Sequence, residues 1–132
     1  MLSPLSEQMY RIRRLETRLQ GLCDFGELGA DLHFSTGQEA IEVGVMAALR
    51  PTDYIVTHHR SISHAVAAGV PLKVLVDELR YGEHGEMALS FPEQRFMSSF
   101  QLVGTCMPVA AGIAWAVKNV KKTDDIVAVF LG

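Results

Sequence analysis

Two histidines and an arginine stand together at His58-His59-Arg60, directly after the apolar segment Asp53-Tyr54-Ile55-Val56-Thr57. A short run of that composition reads as a buried sheet strand. In open parallel sheets, ligands bind just beyond the carboxyl ends of the strands. The position suits recognition of an anion. Arg60 offers a planar fork of N–H groups that can grip a diphosphate through two parallel hydrogen bonds, a geometry lysine cannot reproduce. His59 can donate a third bond, and Ser61 and Ser63 add hydroxyls nearby. An exposed polar turn would carry the same residues, and the residues alone leave both readings open. A metal site from His58, His59 and His64 is disfavoured, because no nearby carboxylate completes it.

Two further groups have spacing that invites chemistry. His33 precedes Gly37-Gln38-Glu39-Ala40 by four residues. A lone histidine is more often structural or exposed, so its role depends on what lies beside it. Glu39 falls in the first turn of a predicted helix, where the dipole favours a carboxylate without any catalytic duty. Gln101-Leu102-Val103-Gly104 precedes a helix that starts near Pro108. Leu102 and Val103 also fit an apolar strand end packed into a core.

The elements that must position these groups follow from caps and periodicity. Ser3-Pro4 is a cap and first-turn signal. Leu5, Met9, Ile12, Leu15, Leu19 and Leu22 then recur every three or four residues, so residues 4–24 are expected to form a long amphipathic helix. Arg11, Arg13, Arg14 and Arg18 occupy its other faces and read as a solvated surface. Gly26, Gly29 and Asp31 open a loop leading to His33. A second helix is expected over residues 37–49, with Ile41, Val45, Met46 and Leu49 on its apolar side and Pro51 ending it. A third helix runs from about 61 to 68 and stops at Gly69; a fourth runs from Pro71 to Leu79. Residues 81–100 contain Gly82, Gly85 and Pro92, and read as a long loop of the kind that tends to be functional or mobile. From Pro108 to about Val120 comes a helix rich in small residues. Asp125 to Gly132 reads as a fully buried strand of a parallel sheet. Helices alternating with buried strands predict an α/β, doubly wound domain.

Bulk properties narrow the class. The chain has 132 residues, 48% of them hydrophobic and 20% charged, which is ordinary for a globular domain. A net charge of −3 argues against nucleic acid as the main partner. No apolar run approaches the length of a membrane span. Cys23 and Cys106 are too few for a disulfide framework or zinc site and fit reduced thiols in a cytosolic protein, so a cytoplasmic location is expected.

Taken in order, Gly37-Gln38-Glu39-Ala40, Thr57-His58-His59-Arg60 and Gln101-Leu102-Val103-Gly104 with Pro108 resemble the alpha subunit of thiamine-diphosphate-dependent 2-oxo acid dehydrogenase first components, the pyruvate and acetoin dehydrogenase type. The resemblance runs from about Tyr10 to Gly132. It implies that His59 and Arg60 contact the cofactor diphosphate, and that His33 points at the reacting carbon. It also implies that backbone around Gln101 and Val103 binds the aminopyrimidine ring. Ile62 and Ala88 stand where the family has histidines, which points to an altered active site or reaction.

The implied fold is an incomplete doubly wound, parallel-sheet thiamine-diphosphate-binding domain with a long N-terminal helix, comprising residues 1–132. Gly132 would be the first glycine of a Gly-Asp-Gly motif, so the Mg²⁺ ligands are expected outside this chain and no metal ligand within it. The chain is then either a natural split subunit or a fragment. A companion polypeptide would carry the rest of the alpha fold, and a beta-type subunit would supply the glutamate that activates the cofactor, giving a heteromer. The implied activity is decarboxylation of a 2-oxo acid, or cleavage of a related carbonyl compound, with transfer to an acceptor. A carboligase or transketolase-like component and a non-catalytic assembly subunit are the alternatives.

Overall fold

A computed structural model describes residues 3–28, 32–82 and 88–131. Helix α1 spans Pro4–Asp24, with Ser3 accepting a hydrogen bond from the Ser6 N–H at 3.2 Å and proline in the first turn. Its stripe buries Ile12 and Leu19, and also Glu16. Helix α2 is Glu39–Ala48, strand β1 is Tyr54–His58 and helix α3 is Ile62–Ala67. Gly69 (φ 89°) closes α3, donating to the Val66 carbonyl while Val70 donates to Ala65. That paired arrangement needs a left-handed residue, which glycine supplies without a Cβ clash. Helix α4 covers Leu72–Tyr81, strand β2 Phe96–Phe100, helix α5 Cys106–Ala116 and strand β3 Val127–Val129. A π-helical turn, Val117–Lys121, extends α5.

The three strands are parallel in the order β2-β1-β3. β1 is central and buried along its whole length, as a strand flanked by two neighbours and covered on both faces must be. Its registers pair His58 with Phe100 on one side and Val56 with Val129 on the other. Ile55 packs on one face with Leu19, Ile62, Leu75 and Phe96, the core under α1, α3 and α4. Val56 packs on the opposite face with Cys106 and Ala110 of α5. The result is a mixed α/β arrangement with a small parallel sheet and a long N-terminal helix.

Two expectations change, and one alternative drops out. The stretch 81–100 is not loop throughout, because its last five residues form β2; residues 83–87, including Gly85, lie outside the described residues, as do Gly29, Asp31 and Gly132. The apolar run 125–132 yields only a three-residue strand, half-buried rather than enclosed. Its outer edge has no strand beside it among the described residues. Leu102 and Val103 are not packed as a strand end: they are 74% and 58% exposed.

Candidate functional site at the carboxyl end of the sheet

β1 delivers His58, His59 and Arg60 to the sheet's carboxyl edge, where the chain turns into α3. The segment before α2 lies against them. The His33 and His59 rings meet edge to face with centroids 5.4 Å apart. The Arg60 guanidinium donates to the Phe34 carbonyl at 2.5 Å. His33, His59 and Arg60 are thus brought into one cluster from two segments distant in sequence. Gln101 and Val103 follow β2, whose last residue is in register with His58, so they share that edge of the sheet. Both are exposed, and among the described residues no hydrogen bond or ring contact ties them to the cluster. Ile62, where the resemblance would place a histidine, is fully buried in the main core and does not face the site. Ala88 is exposed.

The histidines continue inward as a file of rings. His59 meets His58 at 5.5 Å, His58 meets His64 at 5.0 Å, and His64 meets Phe130 at 4.3 Å. Burial pushes the pKa of His58 down, helped by the charges of His59 and Arg60. His59 is lowered too, by burial and then by His33 and Arg60. His64 is pushed down to about 3, chiefly by burial. At neutral pH these three rings are uncharged, and Arg60 supplies the positive charge. No carboxylate among the described residues pairs with Arg60.

Beneath this cluster runs a polar chain that sequence reasoning missed. Glu16 on α1 accepts from the Ser35 N–H, from the Ser35 hydroxyl at 3.0 Å and from Thr36. Ser35 contacts Ser63 at 2.6 Å, and Ser63 contacts Glu42 at 3.0 Å. The links Glu16–Ser35, Ser35–Ser63 and Ser63–Glu42 each need a proton, and the two hydroxyls supply two. The third must come from a carboxyl. Burial raises the pKa of Glu42, which favours its protonated form. Glu42 also lines a cavity of about 290 Å³ with Gln38, His58, His64 and Phe130. The only local signal was Glu42 placed three residues after Glu39, and its partners come from other elements. Glu39 is structural: it pairs with Arg13 (2.5 and 3.0 Å) and accepts from the Gly37 N–H. The Arg13 contact holds its pKa below the usual carboxylate range. Arg13 is therefore more than solvated surface.

The cluster fits an anionic cofactor. The His59 Nδ1 is buried without a partner among the described residues, and Arg60 carries an uncompensated charge with N–H groups to spare. Among the described residues, no three His, Cys, Asp or Glu side chains are grouped so as to hold a metal ion. In particular, His58 and His64 both direct Nδ1 at the backbone of Arg60. No helix among the described residues is long and apolar enough to cross a membrane.

Comparison with known proteins gives the family. The profile of the family described as Dehydrogenase E1 component matches residues 7–132. The pyruvate dehydrogenase E1 component subunit alpha of Zymomonas mobilis is 34% identical over 119 residues, covering 84% of this chain and 34% of that protein. The subunit of the same name from Rhizobium meliloti is 28% identical over 132 residues, covering 95% of this chain and 38% of that protein. A mitochondrial type II alpha subunit from Ascaris suum is 31% identical, over 93% and 33% respectively. The chain thus spans about a third to two fifths of the length of the curated relatives it matches. With the family profile matched along almost its whole length, the chain belongs to the dehydrogenase E1 component family.

Proposed function

We propose that residues 1–132 form the N-terminal part of the thiamine-diphosphate-binding domain of an alpha-type subunit in a 2-oxo acid decarboxylating enzyme. The observation that carries this reading is the meeting of His33, His59 and Arg60 at the carboxyl end of β1. Thiamine diphosphate, when bound, supplies the nucleophilic carbon and electron sink for decarboxylation, and the protein supplies binding and orientation. Arg60 and His59 hold the diphosphate. Backbone groups at Gln101 and Val103 orient the aminopyrimidine. His33, packed on His59, stands on the side of the cluster where a substrate carboxylate can be held or a proton passed. Mg²⁺ is expected to take its ligands from outside residues 1–132, and a beta-type chain to complete the heteromer. The similarity to pyruvate dehydrogenase alpha subunits favours pyruvate as the 2-oxo acid.

The test is CO₂ release by the full-length protein co-expressed with its companion chain. It is expected with pyruvate or another 2-oxo acid and only when thiamine diphosphate and Mg²⁺ are both present. No release from any 2-oxo acid, by a complex that binds the cofactor, would move the reading to a carboligase or assembly role.

A further inference from the structure

Arg60 is held by its backbone as well as by its side chain. Its N–H donates to Nδ1 of His58 at 3.1 Å. Its carbonyl lies 3.0 Å from Nδ1 of His64. A carbonyl only accepts, so His64 carries its proton on Nδ1, whereas His58 must keep Nδ1 bare to accept. Both rings are buried, 6% and 1% exposed, and they pack edge to face. One residue thus has both its backbone polar groups engaged by buried imidazoles of opposite tautomer.

We propose that His58 and His64 are positioning residues, a clamp on the Arg60 backbone that sets where its guanidinium stands toward a bound diphosphate. This rests on the reading above that Arg60 is the diphosphate ligand. The side chain is tethered at its far end to the Phe34 carbonyl, so clamp and tether together leave the fork little room to swing. Such preorganisation favours binding by removing the cost of ordering a long side chain. The clamp works only while His58 is neutral, because protonation at Nδ1 would set two donors against each other.

The groups around His58 keep it neutral. His59 and Arg60 come from its own segment, and both lower its pKa after burial does. His64 comes from α3, and Glu42 of α2 lines the same cavity. From β2 its register partner is Phe100, and after β3 comes Phe130, neither of which titrates. From α5, the Cys106 thiol points at the Phe130 carbonyl.

The test is thiamine diphosphate affinity, measured calorimetrically with Mg²⁺ on the complete enzyme. It compares His58→Leu, Arg60→Ala, their double variant and His58→Asn. His58→Leu leaves a buried N–H unpaired and is expected to weaken affinity roughly tenfold. Added to Arg60→Ala, it should weaken affinity by less than about threefold further, since it acts through Arg60. His58→Asn presents an acceptor near the Nδ1 position and does not titrate. Its affinity should stay close to wild type at neutral pH and fall less steeply than wild type on acidification below pH about 6.5. Independent, additive losses from His58→Leu and Arg60→Ala would overturn the clamp. So would superimposable pH profiles for wild type and His58→Asn, a comparison that stands even if His58→Leu fails to fold. If Arg60→Ala alone leaves affinity unchanged, it is the diphosphate reading that fails, and the clamp falls with it.

Discussion

The His33 ring meets the site at His59, and this contact decides what its loss should do. The ring contact at 5.4 Å puts its imidazole beside the proposed diphosphate ligands without making it one of them. His33→Ala should therefore lower kcat by about 100-fold, the range for a general acid or base, with cofactor affinity near wild type. Turnover within threefold of wild type in steady-state assays of the complete enzyme would make it structural. At this scale the sequence was informative about clustering, since His33, His59 and Arg60 do converge. It gave His58 and His64 no positioning role, because their partner is a backbone group and backbone partners leave no residue-type signature. The alternative in which Leu102 and Val103 pack into a core drops out for a related reason. The turn after β2 carries them outward, and nothing local announces that.

Helix α2 shows where periodicity misleads. Its apolar side was expected at Ile41, Val45, Met46 and Leu49, yet Ile41 is 56% exposed and the residues buried most deeply are Glu39, Glu42 and Val43. The two carboxyls go inward because α1 brings Arg13 to one and α3 brings Ser63 to the other. Those partners lie tens of residues away, so a local pattern cannot reveal them. The same holds for β2, whose Met97-Ser98-Ser99 looks like loop and becomes strand only by pairing with β1. Helix α1 was legible end to end, because its cap and stripe are local.

The raised pKa of Glu42 has a consequence for stability. A carboxyl whose pKa is raised on folding loses stability as pH rises from its ordinary value through its folded value, since the unfolded chain then binds fewer protons than the native one. Glu42→Gln keeps a donor toward Ser63 and removes the titration. Its Tm relative to wild type should rise between pH about 4.5 and neutrality, and the difference should vanish at pH about 4. A constant Tm difference across that range, by calorimetry, would mean that Glu42 is not the proton carrier in the chain.

For the molecule as a whole, the uneven distribution of apolar surface is the dominant fact. One face of the sheet is well packed by α1, α3 and α4, whereas α5 and its surroundings on the other leave Leu102, Met107, Trp115, Val120 and Ile126 more than half exposed. Helix α5 is apolar nearly all round, the pattern of a helix buried on every side. Exposed patches beyond a few hundred Å² are rare on monomers. The isolated 132-residue polypeptide should therefore self-associate. Sedimentation across a micromolar concentration series checks this, and a stable monomer throughout would contradict it.

The central claim is that His59 and Arg60, at the carboxyl end of β1, bind the diphosphate of the cofactor. The most direct measurement is titration calorimetry of thiamine diphosphate, with Mg²⁺, into the complete enzyme carrying either wild-type Arg60 or Arg60→Ala. Charge-assisted hydrogen bonds contribute about 1.5 to 3 kcal/mol each, so the variant should bind at least tenfold more weakly while its far-UV circular dichroism stays unchanged. Equal affinity for the two proteins would place the diphosphate elsewhere and remove the basis for the site.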